Sequence, residues 1–409
     1  KVTNDTYLKV FDSHITTSEV RPENFDVLNS NLKLDFVHQD YNLTAGIQAY
    51  ENLQLKNSDR YQYVLPYYNF DKILSKNFLN GSFNLISSGT NELKNTNNLR
   101  SNITNDISYK GLDLVNNYGL VSNFNVNLKN LNSVAKNDPD YKSSPQVEAM
   151  SEFEFVSSIP MLKKNNKFEK YLTPKASFRI NPGDMKNYSN EDRQVDVGNI
   201  FENNRLGLGD SFESGRSLTL GVDYRKESLE NINKYFDLKL ATVLRDKEEN
   251  FLPKVSTLNR KNSNIFGSMS TNLTEYLNIN YNFAVDNDLR SFERNAIQAS
   301  FSVNNFITNF NFIEEAGEMG DENVVHNSTR YKIDENNFIT FNTRRNRKIN
   351  LTEYYDLVYQ YENDCLTAGV KYKKTYYQDR DIKPTEDLIF TITLVPLTTL
   401  EQRVDRWFF

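Results

Sequence analysis

A chain of 409 residues with only 15 Gly and 10 Pro is neither collagen-like nor linker-rich, and no linker divides it into smaller domains. Its net charge of −6 argues against a nucleic-acid binder, which must neutralise phosphates, and no run approaches the roughly 18 apolar residues of a transmembrane helix. Hydrophobic residues reach 38 % while aromatics make up 13 %, a balance better suited to a curved sheet with one greasy and one wet face than to one large dry core.

Period-two alternation begins early. Leu32, Leu34 and Phe36 alternate with Lys33 and Asp35, and Leu43, Ala45, Ile47 and Ala49 follow across Thr44, Gly46 and Gln48. Phe124, Val126 and Leu128 come next, then Phe153 and Phe155. Leu218, Leu220, Val222 and Tyr224 alternate with Thr219, Gly221, Asp223 and Arg225; the same pattern returns at Phe236–Leu240, Leu277–Val285 and Ile297–Val303. Strand side chains point alternately to two faces, so each run has an apolar and a polar face. No stretch shows helical spacing. The chain is expected to be all-β.

The connections are uneven. Tight polar turns are expected at Asp334–Asn337 and Glu362–Asp364, and long polar stretches at Lys129–Met150, Asn181–Arg216, Arg245–Asn264 and Glu314–Asn327. Short turns at one end and long loops at the other describe a large antiparallel transmembrane β-barrel, and this length supports roughly twenty strands. A soluble sheet of repeated hairpins, as in an adhesin or carbohydrate-binding protein, fits the same alternation.

Motifs for chemistry are few. Gly209-Asp210-Ser211 imitates a serine-esterase block, but a nucleophilic Ser needs a His base, and His14, His38 and His326 stand in no matching context. The segment reads as a loop entering the strand at Ser217. Three scattered His and one Cys make no zinc cluster, and Asp286-Asn287-Asp288 and Asp379-Arg380-Asp381 read as solvated turns. No cofactor and no enzymatic activity are expected. Arg344, Arg345, Arg347 and Lys348 form the sharpest charged cluster, read as a solvated strand end or as a rim for phosphate groups of an anionic glycolipid, since Arg forks suit phosphate oxygens.

Near the C-terminus, Glu353–Leu397 holds two alternating runs joined by a short turn, a charged loop and a third run, Leu388 to Val395. Cys365, the chain's one cysteine, follows the short turn. Pro396 lacks an N–H and is expected to end the third run. Phe390, Ile392 and Leu394 then face lipid, and Thr391 and Thr393 the lumen.

The stretch YDLVYQYENDCLTAGVKYKKTYYQDRDIKPTEDLIFTITLVPL resembles the end of the LptD family of LPS-assembly proteins. KVTNDTYLKVFD, RYQYVLPYYNF with Pro66, YLTPKASFRINPGD and NRLGLGDSFESGRSLTLGVDY resemble earlier family blocks in order; many members place Arg after the Asp, where this chain has Ser211. The resemblance implies a Gram-negative outer-membrane barrel of about 26 strands, of which this chain, residues 1–409, supplies the C-terminal portion. A periplasmic jellyroll domain and the first strands are expected upstream. It also implies insertion of lipopolysaccharide into the outer leaflet through a lateral gate between the first and last strands. The implied partners are lipopolysaccharide, an LptE-like lipoprotein plug, a periplasmic transport bridge and the barrel-assembly machinery. The last strand, ending Phe390, Thr391, Ile392, Thr393, Leu394 and Pro396, is implied as one side of that gate, and Cys365 as a disulfide partner of an upstream cysteine. A general porin or outer-membrane transporter remains the alternative with the same architecture.

Overall fold

A computed structural model describes residues 27–53, 55–231, 233–376, 384–394 and 398–405. They form one sheet of twenty-two strands, each antiparallel to its neighbours. Strand β1 (Val27–Val37) pairs with β2 (Tyr41–Asn52), β3 (Tyr61–Phe78), β4 (Gly81–Lys94) and β5 (Asn98–Gly111) follow, and β6 (Leu114–Val115) is a two-residue hook on β7 (Val121–Lys136). Strand β8 (Gln146–Ser158) is continued by β9 (Met161–Lys164) along the same partner, β10 (Phe168–Asn181). Setting aside the hook and this continuation, twenty crossing segments remain, in line with the sequence expectation.

The order then runs through β11 (Gly215–Ser228), β12 (Tyr235–Arg245), β13 (Ile265–Thr274), β14 (Leu277–Val285), β15 (Phe292–Val303) and β16 (Phe306–Glu315). It ends with β17 (Asn323–Lys332), β18 (Asn337–Asn346), β19 (Leu351–Glu362), β20 (Leu366–Thr375), β21 (Glu386–Leu394) and β22 (Thr398–Asp405). Among the described residues β1 and β22 are each paired on one side, so the barrel is open.

The two ends differ as expected. Connections 38–40, 79–80, 275–276, 304–305, 333–336 and 363–365 lie at one end; 53–60, 137–145, 182–214, 246–264 and 316–322 lie at the other. Two stretches expected to be long loops are shorter. The strands run on to Lys136 and resume at Gln146, because Leu131, Ser133 and Ala135 continue the buried face of β7; likewise β17 begins at Asn323.

One expectation is corrected. Strand β21 is not the last: its outer edge pairs with β22 from Asp387↔Asp405 to Leu394↔Thr398. A Pro ends a hydrogen-bonded run, but it does not prevent the chain from pairing back after a short connection. Pro396 itself lies outside the described residues, as do the loop Asp379-Arg380-Asp381 and the stretch KVTNDTYLKVFD.

The face assignment of β21 follows its pleat. Phe390, Ile392 and Leu394 are 42 %, 47 % and 43 % exposed, whereas Ile389 and Thr391 on the opposite face are buried. The same outer face carries Leu32, Leu34, Phe36, Phe153, Phe155, Leu218, Leu220 and Leu357. Polar residues on it bond each other: Thr308 and Thr329 hydroxyls lie 2.9 Å apart, and Asn327 Nδ2 donates to Thr308 Oγ1 at 3.0 Å. In lipid such groups must be satisfied within the protein. Pro66 sits in a register shift of β3 between Val64 and Tyr67, where a missing N–H breaks no ladder bond.

Candidate functional site: a polar lumen under a folded lid

The inner face of β7–β11 is polar and buried. Asn127, Lys129, Glu152, Glu154, Ser177, Arg179, Ser217 and Thr219 are all under 9 % exposed, although they occupy strand positions between outward apolar residues. Such charges need partners, because a desolvated ion without one is costly. Arg179 Nε donates to Glu154 Oε1 at 2.8 Å, and Ser177 Oγ to the same oxygen at 2.7 Å. Lys129 Nζ pairs with Asp106 at 2.7 Å.

The remaining partners come from the connection 182–214. Arg205 forks onto Glu213 (Nε–Oε1 2.7 Å, Nη2–Oε2 2.6 Å) and reaches Thr219 Oγ1 at 2.9 Å with its third nitrogen. Arg245 Nη1 approaches Glu213 Oε2 at 3.4 Å and Arg179 Nη1 approaches Oε1 at 3.8 Å, so one carboxylate serves three guanidinium groups. Arg179 also donates to the Glu202 carbonyl, Lys129 to the Gly209 carbonyl at 2.9 Å, and Asn127 to Asn203 Oδ1 at 2.9 Å. These bonds hold the connection against the inner wall.

Its apolar residues make the principal core. Met185, Tyr188, Val195, Ile200, Leu206 and Leu208 pack with Leu252 and Leu258 of the connection 246–264. Both rest on Ala241, Val243, Phe266 and Ala284 of β12–β14 and on Met319. The long-loop end of the lumen is thus covered on this side by a folded lid with its own hydrophobic centre.

Ser211 is fully buried in the lid, accepts the Lys186 backbone N–H at 3.0 Å and donates to the Phe212 carbonyl at 3.3 Å. It is a packing residue of a loop, as its sequence context indicates. Neighbouring Asp210 accepts from the hydroxyls of Tyr141 and Tyr188. Burial, with the Asp210 carboxylate beside them, pushes both phenols well up, which keeps them protonated as donors. Two tyrosines therefore occupy Asp210, directly before Ser211.

Burial alone would push the Glu213 carboxyl up, but Arg205, Arg179 and Arg245 hold it at about 2. A depressed carboxylate lends stability that is complete above its unfolded value of about 4.3 and fades as pH falls towards the folded value. The lid is expected to stay docked down to about pH 4 and to loosen between there and about pH 2. Pepsin cleavage beside Leu206 and Leu208, followed across that range, measures it; uniform cleavage from pH 5 downward would contradict the role of Glu213.

Other predicted positions lie apart from the lid network. Arg344, Arg345, Arg347 and Lys348 are exposed at the long-loop end, where β18 turns into β19. They are not unpartnered: Arg344 pairs with Glu353 at 2.8 Å, Arg345 donates to Asn350 Oδ1 at 2.5 Å, Arg347 lies over Phe312, and Lys348 pairs with Asp321. Cys365 is an exposed free thiol at the short-turn end, its N–H donating to Asn363 Oδ1 at 3.0 Å.

Antiparallel strands with an apolar outer face, a polar inner face and the longest loops at one end define an outer-membrane β-barrel wall. The family model LptD, described as LPS transport system D, matches residues 1–344. The chain belongs to the LptD family. It is accordingly an integral outer-membrane protein of lipopolysaccharide transport, with lipopolysaccharide and that transport system as its partners in general. The matched span stops before Cys365 and β19–β22.

No curated protein matches the sequence. Similar solved structures include the siderophore receptor PirA from Pseudomonas aeruginosa, at 10 % identity and TM-score 0.41, covering 93 % of this chain and 72 % of that one. The ferric enterobactin receptor PfeA mutant Q482A of the same organism, in complex with enterobactin, shares 9 % identity with TM-score 0.38, covering 93 % and 73 %. A Rhodopseudomonas blastica porin triple mutant shares 13 % with TM-score 0.23, covering 92 % and 94 %. These scores are low, and the barrel assignment rests on the strands and the family instead.

Proposed function

We propose that this chain forms most of the wall of a translocon that inserts lipopolysaccharide into the outer leaflet through a lateral gate. The observation that carries the proposal is the family match over residues 1–344. The lid supports it: with the long-loop end covered over β7–β14, a sideways exit for acyl chains between first and last strands is favoured over a straight one. No bond is made or broken in this role. A periplasmic jellyroll and further strands precede the chain, an LptE-like lipoprotein fills the lumen, a periplasmic bridge delivers the lipid, and the barrel-assembly machinery inserts the wall.

Among the described residues the edge on the C-terminal side is β22, with β21 one strand inside it. Depleting the protein from growing cells should stop newly made lipopolysaccharide from reaching the cell surface. Undiminished surface delivery would remove the proposal.

Two subsidiary assignments go with it. Short turns of outer-membrane barrels are periplasmic, so Cys365 lies at the periplasmic rim and pairs with a cysteine upstream of this chain. Thiol labelling of the complete protein is expected to fail until reductant is added; labelling without reductant sinks the pairing. Arg344, Arg345, Arg347 and Lys348 form an outward rim for lipid phosphates. Because carboxylates already neutralise two of the four, joint replacement of the three arginines by Gln should weaken retention of phosphorylated lipopolysaccharide only severalfold. Unchanged retention rules the rim out.

A further inference from the structure

A cavity of about 540 Å³ opens on the inner face at the long-loop end of β2–β4, away from the lid. Register places its lining on one face: Gln48↔Val64↔Glu92, Tyr50↔Gln62↔Lys94 and Tyr67↔Thr90. We propose that it is an oligosaccharide-binding subsite, the place where the sugar portion of lipopolysaccharide is held during passage; the assignment of the sugar's source rests on the transport reading above.

The chemistry of the wall selects this ligand class. Tyr50 and Tyr67 supply ring surface for the C–H faces of a sugar, with hydroxyls at their tips. Gln48 and Gln62 each offer both donors and an acceptor, matching hydroxyl groups that also do both. Tyr50 O–H donates to Gln48 Oε1 at 2.7 Å, which fixes the ring and orients the amide. Among the described residues Gln62 and Glu92 make no side-chain hydrogen bond or ion pair, so both are available to a ligand.

Charge argues against a phosphate site. Two acids, Asp59 and Glu92, accompany two bases, Arg60 and Lys94, and Arg60 is already paired with Glu51 at 2.7 Å. The volume falls within the range of about 300–1,000 Å³ usual for small-molecule sites. A few placed polar groups among aromatic surface is the composition such sites need.

The test titrates the complete protein in detergent with the deacylated oligosaccharide of lipopolysaccharide, followed by calorimetry. Saturable binding is expected, weakened at least tenfold by Tyr50→Ala and by Gln62→Ala, and less by Tyr50→Phe, which removes only the hydroxyl. Leu32→Ala, on the outer face, should leave affinity unchanged, and heat-modifiable migration checks that each variant is folded. Absence of binding by the folded wild-type protein overturns the subsite. So does affinity unaltered in both Tyr50→Ala and Gln62→Ala, or competition by inorganic phosphate as strong as by the oligosaccharide. Failure of the transport reading is a separate result: surface lipopolysaccharide would then persist when the whole protein is depleted.

Discussion

Glu213→Ala is expected to undock the lid. The side chain is 8 % exposed and faces three guanidinium groups, of which Arg205 is 2 %, Arg179 3 % and Arg245 8 % exposed. Removing one partner of a buried pair leaves the other charged without compensation and costs about 3–5 kcal/mol. The loss falls on the connection 182–214 rather than on the sheet, because the barrel strands retain their ladder bonds. Tryptic cleavage after Arg205, now buried, should therefore become fast while heat-modifiable migration of the barrel persists. Glu213→Gln, which keeps an acceptor but no charge, should lie between the two. Wild-type protection of Arg205 in Glu213→Ala would show that the hydrophobic centre alone holds the lid.

Ile392→Lys is expected to impair insertion of the barrel. The pleat of β21 puts Ile392 on the outer face with Phe390 and Leu394, level with Ala368 on β20 and Leu400 on β22. A lysine on that face costs up to about 2–4 kcal/mol at the membrane midplane and less towards the interfaces, and Ile392 stands two residues from the short-turn end of the strand. Thr393→Lys, one residue on and facing the lumen, changes no lipid contact and should assemble nearly normally. The amount of heat-modifiable protein in the outer membrane reads the difference. Equal assembly of both variants would contradict the facing assignment of this strand.

The fold was largely readable because a strand's alternation is local. Leu218, Leu220 and Val222 announce an outer face by themselves, as do Phe153 and Phe155. The same alternation contained the lumen network unnoticed: Glu154 stands between Phe153 and Phe155, and Arg179 between Phe178 and Ile180. A charge enclosed by two large apolar residues in a strand signals an inner face that must find a counter-charge. Glu154 and Arg179 are each other's nearest counter-charge, but the pair Arg205–Glu213 that extends the network was hidden in a loop whose path depends on packing against β12–β14. No periodicity marks that path. The edge strand β22 was missed for a related reason: a Pro after an alternating run was read as the end of the sheet, yet β22 pairs back along β21.

The resemblance and the structure divide the C-terminal region differently. The motif order led to the family, and the match over residues 1–344 bears it out. Cys365 and β19–β22 lie beyond that span, so the disulfide and gate roles proposed for this region rest on the resemblance of the C-terminal stretch.

The most direct measurement of the central claim uses a photoreactive amino acid at two adjacent positions of β18. Asn342 shares the inner face with Ser328 and Asp356, its Nδ2 donating to Asp356 Oδ1 at 2.7 Å, whereas Phe341 is 39 % exposed on the outer face. After a short pulse of lipopolysaccharide synthesis, newly made lipid should crosslink first to Asn342→photoreactive protein and only later to protein carrying the probe at Phe341. Crosslinks confined to the outer position at every time would contradict passage through this lumen.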